Sequence, residues 1–218
     1  GGVMQSVGMI DASWMQNFDA FAVLFNGFLV SRFLYPFLEK RGIQLHMTTK
    51  FAIGTFLGAL AILCDVIIDY MIHKHYAATG EPISVMWQIF PYFLIGAGEI
   101  FAESSAYDAA FQISPDGMKA FGSALNLFMI GAVPNFISEA ILNACERWFT
   151  DSSGSASITE LSSYSEAQVY KYLWLLFGIC LIGVVGNLLP WFKRFYTHTE
   201  EKSNDLVRSG RKDLVPMP

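Results

Sequence analysis

The sequence predicts an all-α, polytopic membrane protein with five transmembrane helices, and three observations carry that reading. Of its 218 residues, 53% are hydrophobic and 15% charged, with a mean hydropathy of +0.39, more apolar than a soluble domain of this length. Five apolar runs approach or exceed the roughly 20 residues needed to cross a bilayer, a length that a soluble helical core does not demand. Trp14, Trp87, Trp148 and Trp191 fall near the ends of those runs, with Tyr35, Tyr76, Tyr170 and Tyr196 alongside, as interfacial aromatic belts require. Trp174 alone lies deeper in its run.

The predicted helices cover about 15–38, 49–72, 85–113, 118–148 and 170–195, so residues 1–195 form one transmembrane domain and 196–218 a polar tail. Glu39-Lys40-Arg41-Gly42 stops the first helix, and Thr48 or Thr49 is expected to cap the second. Thr79-Gly80-Glu81-Pro82 breaks the chain before the third. Ser114-Pro115-Asp116-Gly117 makes a tight turn, so the third and fourth helices should be antiparallel neighbours. The serine-rich stretch Asp151 to Glu166 reads as a solvated loop. Gly1-Gly2 opens the chain without Met or a cleavable leader pattern, which raises the expectation that an upstream segment was removed or that this is part of a longer chain.

Basic residues test the five-helix order. One side holds Lys40, Arg41, Lys50, Lys119, Lys193, Arg194, Lys202, Arg208, Arg211 and Lys212, and the other only Lys74, Arg147 and Lys171. By the positive-inside rule, the richer side, with the C-terminus and the third-to-fourth turn, should face the cytoplasm, stroma or matrix. The net charge of −5, with no basic block, argues against a nucleic-acid partner. Cys64, Cys145 and Cys180 are far apart and odd in number, so they read as packing residues and not as a disulfide framework or metal ligands. His46, His73, His75 and His198 fall in loops or at helix ends, against a haem-binding bundle. There is no nucleophile elbow, HExxH helix or phosphate-binding loop, so no catalytic residue and no cofactor or metal site is expected.

Polar side chains inside the apolar runs are therefore the candidates for function, because lipid cannot satisfy them. The first run carries Asn17, Asp19 and Asn26, the last two on one helical face, and an Arg32 placed to snorkel toward the basic end. In the second, Gly54 and Gly58 form a GxxxG pair that admits another helix closely. Asp65 and Asp69 share a face there; Asp65 reads either as functional or as satisfied by a neighbouring helix, headgroup or partner. In the third, Gly96 and Gly98 are expected to loosen the backbone ahead of Glu99, and Glu103 follows one turn on. Two carboxylates at that spacing suit a proton relay or an ammonium site. The fourth adds Asn126, Pro134, Asn135 and Glu139. Glu99, Glu103, Asn17 and Asn126 are the expected substrate- or proton-binding set.

Residues 91–128, PYFLIGAGEIFAESSAYDAAFQISPDGMKAFGSALNLF, carry a family likeness through Gly98-Glu99, Tyr107-Asp108-Ala109-Ala110-Phe111, Ser114-Pro115 and Met118-Lys119. Gln16-Asn17, Tyr35-Pro36, Glu39-Lys40-Arg41-Gly42-Ile43 and Lys50-Phe51-Ala52-Ile53-Gly54 extend it over roughly 14–195. On these motifs the chain resembles the C-terminal part of the proton-dependent oligopeptide transporter family, in the major facilitator superfamily. The resemblance implies the last five of twelve helices, most of one half-bundle, with Glu99 facing a cavity and serving the peptide amino terminus. Asp108 stands where the family often has Glu, Glu103 where a small residue is usual, and Asn17-Phe18 where Asn-Pro is expected.

Two roles follow. One is part of a proton-coupled di- or tripeptide symporter, competent once the missing half is supplied, with peptide and proton as partners. The other is a truncated, non-transporting homologue serving as a structural subunit of a large photosynthetic or respiratory membrane complex. Both place the chain in a bilayer, whether plasma, thylakoid or mitochondrial inner membrane.

Overall fold

The structure, a computed structural model, describes residues 4–5, 15–43, 45–115, 117–150, 160–194 and 197. The predicted tail (apart from Thr197), Asp151 to Thr159, Trp14, Tyr196 and His198 lie outside the described residues.

Among the described residues, five helices are long and apolar enough to cross a membrane, as the sequence predicts. The first begins as α1, Met15–Leu29, passes through a π-helical segment, Val30–Leu34, and ends as α2, Tyr35–Lys40. Pro36 supplies no N–H, so the helical ladder cannot run unchanged through this point; Tyr35 N–H reaches back five residues to the Val30 carbonyl.

The second span, α3, is Met47–Thr79, extending the predicted 49–72 at both ends. Its 33 residues measure about 50 Å at the helical rise, more than the ~30 Å hydrocarbon layer. Polarity after Ile72 ends an apolar run but not a helix, so His73 and His75 lie in the last two turns of α3, at a helix end as expected; the stop comes at Gly80, whose φ of +72° suits glycine. The expected threonine cap is also corrected: His46 is the N-cap in extended conformation, and Thr48 is buried inside the first turn.

Ile83–Ser84 (β2) pairs in parallel with Met4–Gln5 (β1), a two-residue addition to an otherwise helical fold. A 3₁₀ turn, Val85–Gln88, leads into α4, Ile89–Ile113. The Ser114 hydroxyl closes α4 on the Ala110 carbonyl at 2.6 Å, Met118 N–H bonds Pro115, and α5, Lys119–Ala144, begins. α5 stops at Cys145, before a 3₁₀ turn at Glu146–Trp148, slightly short of the predicted end.

The solvated loop is corrected in part: Leu161–Glu166 forms a short helix, α6, docked on α3. The last span, α7, is Val169–Leu188; the predicted 170–195 is interrupted at Leu189, and the chain is helical again over residues 190–194. Pro190 forces its predecessor out of the helix, and Leu189 is extended, with ψ of 139°.

α3 is the centre of the bundle, with α4 on one side and α7 on the other, while α1 and α5 each pack on α4. Small residues make the closest approaches, as expected where lipid removes the hydrophobic drive between helices: Ala52, Gly54, Ala59 and Ala61 of α3 and Gly96 and Gly98 of α4 are all buried. Large apolar side chains such as Phe21, Phe28, Phe136 and Ile182 point outward.

Candidate functional site

The glycines around Glu99 are contact points in an unbroken helix, and the expectation that they loosen it is corrected. A Cβ on Gly98 would lie 2.9 Å from the Gly54 carbonyl oxygen, and one on Gly54 would lie 2.7 Å from the Gly98 oxygen. The two backbones touch, so neither residue can carry a side chain. Gly96 plays the same part toward α1, where a Cβ would meet Val23 N at 2.8 Å. Gly27 lies against Ile100 further along, so α1 and α4 run in the same direction. Asn26, 5% exposed, fastens that contact by donating Nδ2–H to the Phe93 carbonyl at 3.1 Å and to Ala22 at 2.9 Å.

This packing fixes Glu99 between helices. It is half-buried, one residue past the seam with α3, and the carboxylates of Asp19 on α1 and Glu103 on α4 lie within electrostatic range. Among the described residues no lysine or arginine pairs with it. One Asp19 oxygen is buried without a hydrogen-bond partner. Tyr92, two turns before Glu99, is in range of both Asp19 and Asp65, so α1, α3 and α4 each turn a carboxylate toward the same polar zone. Of the other predicted residues, Glu103 is exposed, Asn17 is exposed in the first turn of α1, and Asn126 on α5 buries its amide nitrogen without a partner. Neither asparagine bonds Glu99 or Glu103 among the described residues.

A second polar group, around Asp65 and Asp69, lies outside the expected substrate- or proton-binding set. Asp69 is 4% exposed and accepts a hydrogen bond from the Tyr164 hydroxyl of α6 at 2.6 Å. Burial and that bond push the Tyr164 phenol well above the usual range. A cavity of about 320 Å³ lies beside it, lined by Asp65, Asp69, Gln88, Tyr92 and Tyr164 over an apolar floor. The only sequence signal was the i, i+4 spacing of Asp65, Asp69 and His73; the tyrosine that completes the group stands 95 positions away.

Comparison with known proteins gives the following. The family model described as the POT family matches residues 2–157. Protein NRT1/PTR FAMILY 8.3 of Arabidopsis thaliana is 29% identical over 198 residues, covering 86% of this chain and 32% of that protein. Peptide transporter PTR2 of Saccharomyces cerevisiae is 26% identical over 225 residues, covering 98% of this chain and 33% of that protein. A crystal structure of an auto-inhibited POT family peptide transporter, 19% identical, aligns over 83% of this chain and 35% of its own, with a TM-score of 0.49. The chain spans about a third of the length of the curated relatives it matches.

Proposed function

This chain belongs to the POT family, and from that premise we propose that it is the Glu99-bearing part of a proton-coupled di- and tripeptide symporter, working with the remaining helices of such a transporter. Glu99 is the residue that takes the peptide ammonium or the proton, with Asp19 and Glu103 in its polar surroundings and Asn17 and Asn126 offered to the substrate elsewhere along the path. The observation that carries this reading is the position of Glu99: half-buried, held between α1 and α3 by backbone-to-backbone glycine contacts, with other carboxylates near and no basic partner among the described residues. A carboxylate at such depth is costly unless it is used. In this reading the C-terminus and the α4–α5 turn face the cytoplasmic, stromal or matrix side, which the excess of basic residues there supports.

The test is uptake of labelled dipeptide into proteoliposomes under an imposed proton gradient, with this chain joined to the complementary helices of the complete transporter. Glu99→Gln, expressed at normal level, is expected to reduce gradient-driven uptake to background; uptake at the unaltered rate would remove Glu99 from the role. The bare surface of α5, where no residue is buried, favours one further reading, a structural subunit of a larger membrane complex. Purification from native membranes separates the two: stable, stoichiometric co-purifying subunits without dipeptide uptake would favour the second.

A further inference from the structure

α6 is six residues long, too short to hold helical form by itself, so its docking on α3 decides its conformation. Two side chains make that docking. Leu161 and Tyr164 cover the buried Ile68, Ile72 and Ile83, and the Tyr164 hydroxyl lies 2.6 Å from Asp69 Oδ1. The other Asp69 oxygen is 3.6 Å from His73 Nδ1, and the His73 ring sits against Tyr164 with centroids 5.6 Å apart. On its C-terminal side the segment is anchored, since Gln168 N–H bonds the Trp148 carbonyl at 2.8 Å and Ala167 and Val169 are buried.

Cavities lie on both sides of this contact. The one of about 320 Å³ has Tyr164 in its wall, and a second of about 440 Å³ is walled by the following residues Ser165 and Gln168 together with His73 and Trp174. Asp69 is the lining residue common to both. α6 is thus the partition between them, and the Tyr164–Asp69 hydrogen bond to α3 closes on the residue they share.

We propose that α6 is a releasable strap: seated on Asp69 through Tyr164 it divides this end of the bundle into two chambers, and on lifting it joins them around Asp65 and Asp69. Release turns on the junction of Glu166 and Ala167, where α6 ends and the anchored part begins.

The test uses the whole chain in lipid nanodiscs with Cys64, Cys145 and Cys180 replaced by alanine and one reporter cysteine added. Ile72→Cys, 4% exposed beneath α6, is labelled with a membrane-impermeant maleimide in the presence of Tyr164 or of Tyr164→Phe, which keeps the ring and removes the hydroxyl. Labelling is expected to quicken about tenfold with phenylalanine, the scale for removing one partner of a buried hydrogen bond. A parallel reporter, Ala59→Cys, 1% exposed in α3 away from α6, should keep its slow rate in both backgrounds. Equal labelling of Ile72→Cys with either residue at 164, or an equal rise at Ala59→Cys that signals general loosening, would overturn the strap. Hydrogen exchange on the unaltered chain is a second measure: amides of 161–166 should exchange faster than those of α7 and faster again in Tyr164→Phe, whereas exchange as slow as in α7 would also overturn it. Neither readout involves transport, so a failure here leaves the reading of Glu99 standing, and the reverse.

Discussion

The α3–α4 seam and α5 are built from sequence of the same apolar character, and they end in opposite situations. α4 buries Pro91, Gly96, Gly98, Phe101, Ser105 and Ala109, and its backbone meets α3 so closely that a methyl group has no room at Gly54 or Gly98. α5 has no buried residue, and nothing approaches within 4 Å of where a Cβ on its Gly131 would stand. Hydropathy therefore identifies which segments cross a bilayer, while small residues identify which segments touch only when a facing small residue lets the backbones meet.

The strongest way to break this contrast is to fill the seam. Gly54→Val places carbon where the Gly98 oxygen, 2.7 Å from a Cβ, and Ala102 Cβ, 2.8 Å away, already stand. Relaxation requires α3 and α4 to part, at a cost of about 3 kcal/mol, the upper range for overpacking. Gly98→Ala, with its Cβ 2.9 Å from the Gly54 oxygen, should cost somewhat less, about 2 kcal/mol. Thermal unfolding in detergent reads both as a lowered midpoint; an unchanged midpoint would mean that the seam is looser than a glycine contact.

An intermediate effect is expected where α1 meets α4, because that contact combines one close glycine with one hydrogen bond. Asn26→Leu preserves bulk and removes the bond to the Phe93 carbonyl, which should cost about 1 kcal/mol, the scale of such bonds between membrane helices. The same melt measures it, and its midpoint should fall between those of the seam variants and the parent protein. A loss as large as that from Gly54→Val would show that the polar bond, and not the glycine approach, organises this side of the bundle.

How much of this was legible follows from the kind of information each feature needs. The five spans and the α4–α5 hairpin are local, written in run length and in the Ser114 to Gly117 turn, and they appear where expected. The far end of α3 is not written in run length, because polarity after Ile72 ends the apolar run and not the helix, and the break at Leu189 depends on the constraint that Pro190 places on the residue before it. α6 is hidden for a different reason: its serine-rich surroundings look solvated, and its docking rests on Leu161 and on Tyr164, which finds Asp69 only after folding. In the candidate site, Glu99 stands out in the sequence because a carboxylate in an apolar run is conspicuous. That Asp19 and Tyr92 share its surroundings depends on how α1, α3 and α4 pack, which no spacing within one helix encodes.

The smallest effect sharpens the comparison most, because it should have the opposite sign. Gly58 belongs to the same GxxxG pair as Gly54, yet nothing lies within 4 Å of a Cβ built there, and the same holds for Gly131 in α5. Alanine at either position meets no obstacle and removes the helix penalty of glycine, so Gly58→Ala and Gly131→Ala should be neutral or stabilising by up to about 1 kcal/mol. Melts of the isolated chain should show midpoints equal to or above the parent. Repeating Gly131→Ala with the complementary helices present then asks what the bare side of α5 is for. A midpoint that rises in the isolated chain and falls in the complete bundle would mean that a neighbouring helix comes as close to Gly131 there as α4 comes to Gly54 here. A midpoint that rises in both would leave that part of α5 to lipid.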